Sequence, residues 1–147
     1  MRVGSAAWMA GIRQGPWPVT SVPPDKQEKT AMGRLTSHVL DTAAGRPAAG
    51  MHWVLYRLDG ARTQVASGQT NSDGRNDEPV LKGEALVPGV YEFQFDAAGY
   101  FRQCGVELPE PPFLGEVVVR FGIADSSAHY HVPLLVSPYG YSTYRGS

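Results

Sequence analysis

From Arg34 to Ser147 the chain is cut into short β-rich runs by Gly, Pro, Asn and Asp, and this punctuation constrains the fold most. Short runs at such spacing build an all-β sandwich. The clearest run is 90–96. Tyr91, Phe93 and Phe95 fall on one face, and Glu92, Gln94 and Asp96 on the other. That alternation marks a strand with one wet side. Residues 35–40 form a first run, closed by Asp41-Thr42 and a Gly45-Arg46-Pro47 turn. Residues 51–58 are apolar on both faces, as in a central strand. Asp59-Gly60 signals a hairpin, answered by 63–70. Residues 71–74 (Asn-Ser-Asp-Gly) tolerate left-handed backbone and read as a loop. Residues 97–104 are the one good helix candidate. Val117, Val119 and Phe121 alternate with Glu116 and Arg120 in a further strand. Runs 129–136 and 141–145 follow, joined through Ser137-Pro138-Tyr139-Gly140. The sum is about seven or eight strands and one short helix.

Gly 17 and Pro 12 in 147 residues fit a turn-rich chain of one domain. The net charge is -1 with no basic block, which argues against nucleic acid and anionic membrane surfaces as partners. No apolar run approaches the roughly 18 residues of a membrane span. Cys104 stands alone, so the chain has no intramolecular disulfide and no multi-cysteine metal site. This fits a reducing compartment, and a cytoplasmic location is expected. Residues 1–33 read as a disordered extension, with four prolines from Pro16 to Pro24, or as an over-long start with Met32 the natural one. Arg2 and the SAAWMAGI that follows faintly suggest a signal peptide, but the apolar stretch is short and lacks an A-x-A site. The domain is placed at 34–147.

Chemistry concentrates near the C-terminus. On run 129–136, Tyr130, Val132, Leu134 and Val136 make the core face. His129, His131, Pro133 and Leu135 then lie on the outer face, which also suits a subunit contact. His-x-His can chelate, but a zinc site wants three or four ligands, and His38 and His52 are the only other histidines. Metal binding is therefore disfavoured. No G-x-S-x-G elbow is present. A lone Cys104 is more often a small buried hydrophobe than a nucleophile. The 71–74 loop ends in Arg75, a fixed cation suited to an anion or a polarised carbonyl. Taken singly, each of these residues has an ordinary structural reading. His38 reads as an exposed strand residue, Arg75 as a turn cation and Tyr144 as an interface aromatic.

Taken together they resemble a family. LTSHVLDTAAGRPAAG (35–50), TNSDGR (70–75), PFLGEVVVRFGI (112–123) and HYHVPLLVSPYGYSTYRGS (129–147) are similar to the 5-hydroxyisourate hydrolases, the transthyretin-like enzymes of urate degradation. The resemblance runs through 34–147 in order. Its most specific part is the terminal Tyr-Arg-Gly-Ser, which the hormone carrier transthyretin lacks. The resemblance implies a transthyretin-like sandwich of two four-stranded sheets with one short α-helix. It implies a homotetramer whose last two strands line a central channel. It implies hydrolysis of 5-hydroxyisourate to 2-oxo-4-hydroxy-4-carboxy-5-ureidoimidazoline, with no cofactor and no metal. The family's catalytic positions fall on His38, Arg75, His131, Tyr144 and Ser147. One departure is His52-Trp53, where Arg-Val or similar is more usual; the pair is expected on a scaffold strand, away from the chemistry. Relatives of this kind occupy the cytosol, periplasm or peroxisome.

The chemistry agrees with that assignment. Metal-free opening of a cyclic amide needs a positioned water, a base and a stabiliser for the developing oxyanion. His38 or His131 can take the water's proton and later protonate the leaving nitrogen. Arg75 can hold the ring and offset negative charge. Tyr144 and the Ser147 carboxylate can orient a histidine or the substrate. Two other classes compete. A non-catalytic small-ligand carrier on this scaffold would lose the channel's polar set, and an extracellular Ig-like module would carry a secretion signal.

Overall fold

The computed structural model describes residues 32–147, and what the sequence suggests for residues 1–31 lies outside the described residues. The strands are β1 (Arg34–Asp41), β2 (Arg46–Pro47), β3 (His52–Leu58), β4 (Arg62–Gln69), β5 (Leu81–Lys82), β6 (Gly89–Asp96), β7 (Glu116–Ile123), β8 (His129–Ser137) and β9 (Gly140–Thr143). The helix α1 (Ala97–Gln103) lies between β6 and β7. One sheet runs β2-β1-β8-β9, with the two-residue β5 also paired to β1, and the other runs β4-β3-β6-β7. The two-layer sandwich with one short helix is the architecture that the sequence implied.

Alternation builds the core. Tyr91, Phe93 and Phe95 of β6 are buried against Trp53 and Leu55 of β3 and Val117 and Val119 of β7. Phe93 stacks on Phe95 at 4.9 Å and meets Trp53 edge-on at 5.8 Å. From the facing sheet come Leu35 and Val39 of β1 and Tyr130, Val132, Leu134 and Val136 of β8. The Asp96 side chain caps α1 by accepting from Gly99 N–H at 3.0 Å. A Cβ at Gly99 would collide with that carboxylate.

Two short strands, β2 and β5, bring the count to nine and widen one sheet to five strands, where seven or eight strands in two four-stranded sheets were expected. Two side chains also differ from the sequence reading. The far side of β6 is not wet at Glu92, which is 2% exposed. Its carboxylate accepts from Gln94 at 3.0 Å and pairs with Arg62 and Arg120 at 3.2 Å each, so the long arginine stems cover it. Cys104 is not a buried hydrophobe either. The helix stops at Gln103, and the thiol is exposed.

One connection matters most for function. β1 and β8 are parallel neighbours, pairing from Arg34↔His129 to Asp41↔Val136. A parallel pair needs a long crossover, and here the whole second sheet intervenes. This brings the first strand of the domain against its last long one. It sets Thr36 and His38 on the same outer face as His129 and His131.

Candidate active site

The site is built on the outer face of the β1–β8 pair. Register sets Thr36 opposite His131 and His38 opposite Pro133. The Thr36 hydroxyl stands between two rings, 2.7 Å from His131 Nδ1 and 3.0 Å from His129 Nε2. The imidazole centroids are 6.4 Å apart.

A clamped loop delivers the cation. The Asn71 side-chain carbonyl accepts from the N–H groups of Asp73 at 2.9 Å and Arg75 at 3.1 Å. The Asn71 N–H donates to Arg75 C=O at 2.7 Å. Gly74 takes φ +75°, and its carbonyl accepts from Val39 N–H at 2.8 Å. A Cβ there would collide with the Val39 carbonyl, so Gly lets the loop lie on β1 beside His38. Asn76 is fixed too. It accepts from Trp53 Nε1 at 2.8 Å and donates to Ser37 Oγ at 3.2 Å. Trp53, expected to be scaffold only, is thus hydrogen-bonded to a residue of the site.

The tail folds back along β8. Pro133 has no N–H to offer, but its carbonyl accepts from the Thr143 hydroxyl at 2.7 Å. Beyond β9, Gly146 N–H donates to His131 C=O at 2.8 Å. The Arg145 guanidinium lies 4.3 Å from the Tyr130 ring centre, a cation–π contact. Ser147 is thereby brought to the mouth of a cavity of about 340 Å³, lined by Thr36, Arg75, Asn76, Glu78 and His131 among others.

Of the residues singled out from sequence, Arg75, His131 and Ser147 share this cavity. His38 is half-buried on the same face; Arg75 and Asp73 act on it, and it acts on His131. Tyr144 lies apart from them. It is 62% exposed and lines a second cavity of about 380 Å³ between β7 and the tail, where His131 is the shared wall. The sequence reading missed Thr36, Asn76 and Glu78. Thr36 carried one signal: it sits two residues before His38, hence on the same strand face.

Electrostatics keep the imidazoles neutral. Burial first, then the Arg75 charge, holds His131 below the ordinary histidine value; His129 and His38 add to this. Burial and then Arg75 lower His38, with Asp73 pulling the other way. Burial and then Arg34 lower His129. Neutral imidazoles beside a fixed guanidinium can accept a proton from a water while the cation receives developing negative charge. Among the described residues, no group of three or more His, Cys, Asp or Glu side chains converges as metal ligands do.

Residues 35–146 match the HIUase/Transthyretin family. The 5-hydroxyisourate hydrolase 2 of Rhizobium meliloti (strain 1021) is 61% identical over 116 residues, spanning 78% of this chain and 97% of that protein. Among solved structures, (S)-allantoin synthase superposes with a TM-score of 0.75 at 46% identity, covering 79% of this chain and 44% of that one. The 5-hydroxyisourate hydrolase of Klebsiella pneumoniae superposes with a TM-score of 0.66 at 30% identity, covering 78% of this chain and 99% of that one.

Proposed function

Because the chain belongs to the HIUase/Transthyretin family, we propose that it is an enzyme, a 5-hydroxyisourate hydrolase of urate degradation. It opens the six-membered ring of that small molecule with water to give 2-oxo-4-hydroxy-4-carboxy-5-ureidoimidazoline. The observation that carries this reading is the convergence of Arg75, His131 and Ser147 on one cavity beside His38.

Water attacks the ring carbonyl while one of His38 and His131 accepts its proton, a contribution typically worth roughly 10²–10⁴ in rate. Arg75 neutralises the oxyanion as it forms. The same proton goes to the ring nitrogen as the C–N bond breaks. Ser147 orients substrate or ring from the tail, and Tyr144 closes the site from the neighbouring cavity. A carrier needs no such pairing of base and cation.

We further propose assembly as a homotetramer. Among the described residues β9 pairs only with β8 and β7 only with β6, so each sheet ends there in an open edge. Residues of both edges line the second cavity, so the edges lie side by side. Open edges invite pairing. Exposed Phe113 (70%) and Tyr139 (63%) suit a buried contact. Light scattering at working concentration tests the assembly. A cytoplasmic location is supported by the exposed free thiol of Cys104, and cell fractionation tests it.

The activity test generates 5-hydroxyisourate from urate with urate oxidase and follows its ultraviolet decay. The purified protein should speed decay well beyond the spontaneous rate. Decay at the spontaneous rate would remove the hydrolase reading.

A further inference from the structure

The Thr36 hydroxyl carries one proton and accepts through its lone pairs. It lies within hydrogen-bond distance of two imidazole nitrogens, His131 Nδ1 at 2.7 Å and His129 Nε2 at 3.0 Å. It can donate to only one of them. The other nitrogen must then carry a hydrogen and donate to Oγ1, since otherwise two lone pairs would face each other. The bonds therefore run in one sense at a time, from His131 through Thr36 to His129 or the reverse.

The surroundings select the first sense. With Nδ1 engaged by Thr36, His131 has only Nε2 left for substrate water. Arg75 lines the same cavity as His131, and its charge acts on this ring. Beside a cation, a lone pair at Nε2 is favoured over an N–H. That places the ring's hydrogen on Nδ1, where it donates to Thr36, and Thr36 donates to His129. His129 is exposed, so its own Nδ1–H can reach water.

We propose that Thr36 is a positioning residue that holds a hydrogen on His131 Nδ1, frees Nε2 as the base, and relays charge to His129. This rests on the hydrolase reading. When the water oxygen bonds to the ring carbonyl carbon, its proton goes to His131 Nε2. His131 Nδ1 then gives its proton to Thr36 Oγ1, and Thr36 gives its own to His129 Nε2. One N–H bond forms and one breaks at His131. One O–H bond forms and one breaks at Thr36. One N–H bond forms at His129, which becomes the imidazolium. No electrons change hands, and the reverse passage returns a proton for the leaving nitrogen.

The charged and titratable groups around the pair are consistent with such a relay. His131 meets Arg75 and Glu78 from the loop side, His38 from β1, His129 from its own strand and Ser147 from the tail. Arg34 acts on His129. Both rings are held below the ordinary histidine value, so the relay begins neutral. Two imidazolium rings with one hydroxyl between them would repel, so the pair takes one proton at a time.

Thr36→Val keeps the branched shape and deletes the hydroxyl; Thr36→Ser keeps the hydroxyl. Turnover of 5-hydroxyisourate by Thr36→Val should fall about 10²-fold with KM changed less than about threefold, while Thr36→Ser stays within about threefold of the parent. Nitrogen-15 NMR of histidine-labelled protein at mildly alkaline pH reads the tautomer without substrate. His131 should show a protonated Nδ1 and a bare Nε2 in the parent and in Thr36→Ser, and lose that bias in Thr36→Val. Parent-like turnover in Thr36→Val overturns the proposal. So does a loss of turnover with the His131 tautomer unchanged, or a loss that Thr36→Ser shares. If the parent shows the tautomer and Thr36→Val loses it, yet neither turns over 5-hydroxyisourate, the positioning role stands and the substrate reading falls.

Discussion

Gly146 is bound to the residue whose position it fixes: its N–H donates to His131 C=O at 2.8 Å, and a Cβ built on it would stand 2.5 Å from His131 Cδ2. The tail backbone therefore lies flat against the imidazole. Gly146→Ala must push the ring or lift the tail. A misplacement of about 1 Å in a catalytic group costs on the order of 10²-fold in rate. We expect kcat/KM to fall by about that factor. The melting temperature should hardly move, because the strain falls beyond β9 on a segment held by one isolated bridge. Parent-like kinetics in the decay assay would show that the ring and the tail are not pressed together in the working enzyme.

Removal of residues 144–147 tests the whole tail. The deletion takes away the Gly146 bridge, Ser147 at the cavity and the Arg145 contact with Tyr130. It spares the β8–β9 pairs from Leu134↔Thr143 to Ser137↔Gly140 and the Thr143–Pro133 hydrogen bond. Activity should vanish while the strand signal in circular dichroism persists. A truncated protein of full activity would remove the tail from the chemistry.

Arg75 has a second consequence, on pH. It is among the groups that lower His38 and His131. A lowered pKa leaves the rings neutral, and so able to act as bases, at pH values below the ordinary 6.5. The acid limb of kcat/KM should thus lie below 6.5, with activity rising as pH rises through it. Arg75→Gln removes the cation, so the histidines bind protons more readily and the limb moves up towards 6.5. Turnover should also drop by about 10²–10³-fold through loss of oxyanion stabilisation. A pH–rate series on both proteins checks the sign, and an unmoved limb would take Arg75 away from the base.

The sandwich was legible in the sequence because several strands alternate, as Tyr91, Phe93 and Phe95 do, and because Gly and Pro mark the turns. The placement of His131 on the outer face was legible for the same reason. Pairing was not legible. Strand periodicity says which face a side chain takes, and says nothing of which strand lies beside it. Thr36 gains its place only from the parallel register with His131. Trp53 looked like scaffold because Asn76 lies 23 residues away in the chain. The room for its ring comes from Gly68 across the β3–β4 pair, where a Cβ would stand 2.8 Å from Trp53 Cζ2. Glu92 looked solvated because alternation cannot foresee two arginines, one from β4 across β3 and one from β7, closing over one carboxylate.

Stability away from the site centres on Asp41. It is 2% exposed, and each of its carboxylate oxygens is used. Oδ1 accepts from the N–H groups of Ala43 at 3.0 Å and Ala44 at 2.9 Å, and Oδ2 accepts from the Tyr100 hydroxyl at 2.8 Å. The end of β1, the turn after it and the helix α1 are thereby joined through one side chain. Burial and then the hydrogen bond to Asp41 push the Tyr100 hydroxyl well above the ordinary tyrosine value, so it remains a donor across the working range. Tyr100→Phe keeps the ring and withdraws the donor, leaving Oδ2 buried without a partner. Such a group costs about 1–3 kcal/mol, and more when charged. For a domain of this size that lowers the melting temperature by about 5–15 °C. Protein concentration must be held equal between parent and variant, because assembly shifts the midpoint. Turnover at room temperature should stay at the parent level, since neither Tyr100 nor Asp41 lines the cavity. A variant with an unchanged midpoint would mean that the Asp41–Tyr100 bond adds nothing beyond what water supplies in the unfolded chain.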